Sequence, residues 1–87
     1  MHYEILIERS AQKSLAKIPK SEQPKIIQSI ENLSDNPRPH GSKKLSGRNG
    51  WRIRVGNYRV IYEIQNNQLI ILVLSIGDRK EIYKNKR

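Results

Sequence analysis

Four arginines in the C-terminal half, Arg52, Arg54, Arg59 and Arg79, are the residues of this sequence best suited to chemistry. A guanidinium is planar, stays charged, and offers paired N–H groups that match the oxygens of a phosphate. Lys43, Lys44 and Arg48 add cations just upstream and are candidate phosphate-binding residues. Tyr83 follows Arg79 by four residues. A tyrosine beside a basic cleft can stack on a nucleobase, although on spacing alone packing against the domain is its plainer role. Conventional acid–base groups are sparse. His2 and His40 fall at the N-terminus and in a Pro-rich loop, so both are expected on the surface, away from the arginines. Glu63 is a possible base or a salt-bridge partner of the arginines, and Glu81 is a second carboxylate with weaker grounds. With no cysteine and no cluster of metal-ligand residues, the expected chemistry is metal-independent and uses no cofactor.

The arginines are positioned by a hairpin. Trp51-Arg52-Ile53-Arg54-Val55 alternates with period two, Gly56-Asn57 is a two-residue turn of the II′ kind, and Tyr58 to Gln65 is the return strand. A turn of two residues fixes the register. Val55 then faces Tyr58, Arg54 faces Arg59, Ile53 faces Val60 and Arg52 faces Ile61. Arg52, Arg54 and Arg59 share one face with Glu63, while Trp51, Ile53, Val55, Tyr58, Val60 and Tyr62 take the other. Like charges directly across a ladder are destabilising, by a few tenths to about 1 kcal/mol. An Arg54–Arg59 pair is expected where a phosphate is bound between the two guanidinium groups.

The remaining elements can be read around that hairpin. Tyr3 to Glu8 is a strand. Ser10 is placed to cap a helix with Ala11, Leu15 and Ile18 on one face, ending before Pro19. Ser21 is placed to cap a second helix, with Pro24 in its first turn and Ile26, Ile30 and Leu33 as its apolar stripe, Ile27 beside it. Asn36 to Ser42 is a loop, and Lys43 to Gly50 is a basic stretch punctuated by glycine. After a second tight turn at Asn66-Asn67, Gln68 to Ile76 is a strand apolar on both faces, expected inside the sheet and ended by Gly77-Asp78. That turn would set Arg59 against Leu74. The order predicts an α+β fold: an N-terminal strand, an antiparallel helix pair, and a three-stranded antiparallel meander, all in one mostly antiparallel sheet with the helices on one face.

The chain has 87 residues, enough for a single domain over 1–87. Its net charge of +9 is unevenly placed. Residues 1–35 carry five bases and five acids, whereas residues 36–87 carry twelve bases and three acids. The whole excess therefore lies in the half that bears the hairpin, which suits a polyanionic partner and salt-dependent binding. The start of the sequence does not read as a signal peptide, and the longest apolar run, Leu69 to Leu74, is too short to cross a bilayer. The absence of cysteine suits a reducing compartment. A cytoplasmic protein with no membrane association is expected.

Three stretches together resemble a known family. Lys44-Leu45-Ser46-Gly47, Trp51 to Tyr62 with its Arg-x-Gly-Asn-Tyr-Arg-x-x-Tyr run at 54–62, and Ser75 to Tyr83 with Gly-Asp-Arg-Lys-Glu-Ile-Tyr at 77–83 look like the RelE group of the RelE/ParE toxin superfamily. The opening strand and helix pair match as well. The resemblance implies a RelE-like fold and the toxin of a type II toxin–antitoxin pair, with a cognate antitoxin, the ribosome and mRNA as partners. It implies an endoribonuclease that cuts mRNA in the ribosomal A site by 2′-hydroxyl attack and so stops translation. It also assigns roles: Arg59 on the scissile phosphate, Arg79 assisting the leaving 5′-oxygen, Tyr83 stacking on the nucleotide, Arg54 helping to activate the 2′-hydroxyl, and Arg52 supporting the phosphate. The sequence departs from the best-studied RelE pattern in having Arg52 and Arg54 where that pattern has lysines. An arginine cannot give up its proton as a lysine of lowered pKa can. Arg54 is a poor general base, and its expected contribution is stabilisation of the developing 2′-alkoxide and phosphorane.

Two further functions fit the same scaffold. A ParE-type toxin would poison DNA gyrase and cut no RNA. The pairing of Arg79 with Tyr83 is the feature that sets the RNA-cleaving branch apart from it. A non-catalytic RNA-binding module would show salt-sensitive binding without turnover.

Overall fold

The computed structural model describes residues 2–47 and 49–78. Seven elements follow one another: β1 (Glu4–Ile7), α1 (Arg9–Lys17), α2 (Gln23–Asn32), β2 (Lys43–Lys44), β3 (Trp51–Val55), β4 (Tyr58–Gln65) and β5 (Ile70–Asp78). The five strands form one sheet in the order β1-β5-β4-β3-β2. Only the β1–β5 pair is parallel. This is the α+β architecture expected from the sequence. The apolar strand β5 does lie inside the sheet, between β1 and β4.

Both helices cover the same sheet face. Ala11 and Ile18 from the α1 segment and Ile26, Ile30 and Leu33 from the α2 segment are buried against Ile53, Val60, Tyr62, Ile64, Ile71, Val73 and Ile76. Burying each such aliphatic side chain contributes about 1.5–3 kcal/mol, so this one layer holds the domain together. Neither helix begins where a serine cap was expected. The N-caps are Glu8 and Glu22, without side-chain cap hydrogen bonds, and Ser10 lies inside α1. The chain passes from β1 into α1 through Glu8 alone, so Ser10 falls in the first helical turn. Gln12 and Gln23 instead tie each helix to the preceding segment, donating from Nε2 to the carbonyls of Ile7 and Ile18 at 2.8 Å each.

Two differences from the sequence reading concern β2 and the second turn. Lys43–Lys44 is a short strand that extends the sheet beyond the expected four strands, pairing Lys43 with Arg52 and Lys44 with Trp51. The turn after β4 is longer than Asn66-Asn67. Gln65 pairs with Ile70, and residues 66–69 form the loop, with Leu69 in the left-handed region at φ 54°. Arg59 therefore does not face Leu74. A β-bulge lies between the pairs Tyr62–Val73 and Ile61–Ser75, so that Leu74 is the extra residue and Arg59 faces Gly77. Ile76 pairs with the core residue Val60 and is itself buried.

Candidate nucleic-acid interface

The hairpin register is the one the turn dictates. Arg54 pairs with Arg59, Val55 with Tyr58, Ile53 with Val60 and Arg52 with Ile61. Gly56 has φ 60° and Asn57 does not share its positive sign, as a II′ turn requires. Alternation puts Arg52, Arg54 and Arg59 on the face away from the helices. Lys43, opposite Arg52, joins them. Lys44, opposite Trp51, belongs to the helix side of the edge strand and is exposed there.

The three arginines differ in depth. Arg54 is exposed and Arg52 half-buried, whereas Arg59 is only 7% exposed. Arg59 sits in the middle of the sheet, between Arg54 on β3 and Gly77 on β5. It is partnered, as a buried guanidinium must be. The face thus presents a recessed cation at its centre and mobile-stemmed cations, Arg54 and Lys43, at its rim.

Glu63 is on the same face but opposite Leu72, four residues along β4 from Arg59. At roughly 3.3 Å per residue that separation is about 13 Å, which places it outside direct reach of a phosphate held at Arg59. It makes no ion pair among the described residues. Arg48, Arg79, Glu81 and Tyr83 lie outside the described residues.

His2 stands apart from the arginines, and His40 is exposed as expected, although it lines a cleft with Arg54 on the α2 side of the sheet edge. His2 lies at the other end of the α2 connection, with Nδ1 3.0 Å from Asp35 Oδ1 and Nε2 3.1 Å from Ser34 Oγ. His40 and Arg54 line one cleft of about 350 Å³, with Ser29, Asn32, Pro39, Gly41 and Ile53.

The loop that carries His40 is anchored. The Tyr62 hydroxyl, fully buried in the core, donates to the Pro37 carbonyl at 2.7 Å. Arg38 lies over the Trp51 ring, 5.2 Å from its centroid. The Ser42 amide donates to the Pro39 carbonyl at 2.9 Å and closes a turn around His40. Burial pushes the Tyr62 phenol up to about 12, against smaller lowering effects of a Ser42 hydrogen bond and the Arg38 charge. Tyr62→Phe removes the anchor and is expected to lower stability by about 1 kcal/mol, measured by urea unfolding at neutral pH. Because the folded-state pKa is raised, stability linked to this phenol is intact below pH 10 and lost as pH rises toward 12. Tyr62→Phe should therefore lose less stability than the parent chain across that interval.

Comparison with known proteins agrees with this geometry. The family model described as the ParE toxin of the parDE type II toxin–antitoxin system matches residues 5–83. The chain belongs to the RelE/ParE superfamily of type II toxins. A Methanocaldococcus jannaschii protein named as toxin RelE1 is 33% identical over 98% of this chain and 99% of its own length. The RelE–RelB complex of Pyrococcus horikoshii contains a chain with TM-score 0.81 and 28% identity, covering 91% of this toxin and 97% of that chain. The RelB–RelE complex of Methanococcus jannaschii gives TM-score 0.74 and 29% identity, over 94% and 99%. The RelE-like toxin fold therefore spans nearly the whole chain, with the arginine hairpin at its centre. No helix among the described residues is long and apolar enough to cross a membrane.

Proposed function

We propose that this toxin is a ribosome-dependent endoribonuclease that cleaves mRNA in the A site and binds its substrate on the open sheet face. The observation that carries this reading is the cluster Lys43, Arg52, Arg54 and Arg59 on one face, with the Arg59 guanidinium recessed between two strands. Like charges held this close destabilise the free protein and are neutralised by a bound phosphate. In the proposed reaction the ribose 2′-oxygen attacks the adjacent phosphorus and the 5′-oxygen leaves, giving a 2′,3′-cyclic phosphate. Arg59 holds the scissile phosphate and Arg54 stabilises the charge that develops on the attacking oxygen and the phosphorane. Arg52 and Lys43 contact the flanking phosphates, and Lys44, on the other side of the edge strand, and Arg48 are further candidate phosphate-binding residues. Arg79 assists the departing 5′-oxygen and Tyr83 stacks on the nucleotide. The described chain ends at Asp78, opposite Tyr58 at the hairpin tip and one residue short of Arg79.

The deciding experiment is incubation of the toxin with translating ribosomes stalled at a defined A-site codon, followed by mapping of RNA ends. Cuts in one phase of the reading frame are expected. Intact mRNA in the presence of folded toxin would remove this reading, and salt-sensitive RNA binding without cuts would identify a binding module. Arg52→Ala should weaken RNA binding and reduce the slope of log K against log salt by about 0.7, the contribution of one phosphate contact on a single strand, read by titration at several salt concentrations.

A cognate antitoxin is the second proposed partner. The matched archaeal relatives are complexes of RelE with RelB. In this chain Leu6 is 41% exposed and stands beside Leu72 in the register, so an apolar strip continues the arginine face toward β1. An amphipathic segment bearing acidic residues would cover both parts. A second reading, gyrase poisoning, is favoured by the family model, which is that of the ParE toxins. A DNA supercoiling assay separates the two.

A further inference from the structure

Arg54 and Arg59 face each other across the β3–β4 ladder, on the side of the sheet that the helices leave uncovered. Arg54 is exposed, whereas Arg59 is 7% exposed and its Nε is buried. The difference follows if Arg54 stands up from the sheet and Arg59 lies along it. A side chain can lie down only across a neighbour that leaves room. On the β3 side of Arg59 stands Arg54, a like charge. On the β5 side stands Gly77. Gly77 is itself buried, on the same face and with no side chain of its own to fold over it. The pairing of β1 with β5 ends at Val73, short of this level. Among the described residues, the side chain directly opposite Gly77 is that of Arg59. Backbone geometry gives no reason for a glycine here. The glycines with positive φ are Gly41, Gly47 and Gly56, whereas Gly77 is a ladder residue of β5. An extended position accepts any side chain, and a glycine there weakens the strand. What Gly77 supplies is space.

We propose that Gly77 is a positioning residue for Arg59: it leaves bare the backbone across which the arginine stem lies, and so sets the depth of the guanidinium. This inference rests on the reading of Arg59 as the group that holds the scissile phosphate. A guanidinium laid along the sheet has few rotamers left to it and is aimed before the substrate arrives, which is the condition for strong stabilisation of developing charge. A Cβ at position 77 would lift the stem toward the level of Arg54. The planar fork would then meet the phosphate at the wrong height, with more water around it.

The test compares the full parent chain with Gly77→Ala, Gly77→Val, Arg59→Ala and the double variant Gly77→Ala/Arg59→Ala. In single-turnover cleavage of A-site mRNA the maximal rate should fall about 10-fold for Gly77→Ala and about 100-fold for Gly77→Val, since a misplacement of about 1 Å can cost that much. The toxin concentration that gives half the maximal rate should stay the same, because Arg52, Arg54 and Lys43 still meet the flanking phosphates. By NMR, the Arg59 Nε–H proton, assigned by its loss in Arg59→Ala, should exchange slowly with water in the parent and fast in Gly77→Val. Gly77→Ala should lower Tm in the parent background and leave it unchanged or raised beside Arg59→Ala, because both changes act on one contact. Parent-like exchange of that proton in Gly77→Val overturns the assignment. So does an equal loss of Tm in both backgrounds, the measurement that decides if Gly77→Val does not fold. A parent chain that cuts nothing removes the nuclease reading, and the exchange and melting measurements still decide the role of Gly77.

Discussion

Arg59→Ala is expected to reduce single-turnover mRNA cleavage by about 100- to 1000-fold, the usual effect of removing one preorganised donor from a developing negative charge. The size follows from where the residue sits. Arg59 is 7% exposed, so little of its interaction with a phosphate would be screened by water. Its neighbours on the ladder are Arg54 on one side and Gly77 on the other, and neither can replace it at the centre of the face. Arg59→Lys keeps a charge but loses the planar fork, and should recover only part of the rate. Thermal melting run beside the kinetics separates a chemical defect from a folding one. A folded Arg59→Ala toxin that cuts at the parent rate would take Arg59 out of the reaction.

The largest effect on stability is expected from Ile26→Ala. Ile26 is fully buried on α2 at the centre of the single hydrophobic layer. Truncating a buried isoleucine costs about 2–5 kcal/mol, because the cavity left behind closes only in part. A chain of this size has a total stability on the order of 5–15 kcal/mol, and each kcal/mol lost lowers Tm by about 4–8 °C. Circular dichroism melting should show a marked fall for Ile26→Ala. Exposed Ile27, its neighbour in sequence, should tolerate alanine with little change. Equal losses at both positions would mean that α2 is not seated on the sheet as described.

How much of this was legible beforehand depends on the range of the interaction that fixes each feature. The arginine hairpin was fully legible, because a two-residue turn sets its register locally and every predicted pair from Arg52–Ile61 to Val55–Tyr58 is present. The burial of Ile26, Ile30 and Leu33 followed from helical spacing. The pair Lys43–Lys44 was not recognisable as a strand, since two residues carry no periodicity and their pairing depends on where β3 lies. The setting of Arg59 against Gly77 was missed because the turn at 66–69 holds four residues and the bulge falls at a leucine, a residue with no turn signature. The depth of Arg59 and the cleft shared by His40 and Arg54 arise only once the strands and α2 are assembled. The roles of Arg79 and Tyr83 rest on the family pattern in the sequence.

The bulge at Leu74 makes β5 two strands of opposite parity joined end to end. Carrying the Gln65–Ile70 register on without it would bring Ile76 beside Arg59 and turn Gly77 toward the core. With it, the branched side chain goes to the hydrophobic layer and the residue without a side chain goes to the arginine face. One inserted residue thus clears bulk from beside the buried guanidinium and fills the core in the same step. The frame of the strand, and not only its composition, is therefore under constraint. Substitutions at Leu74 should be borne easily, while loss of that one position would invert every residue between it and the chain segment that leads to Arg79.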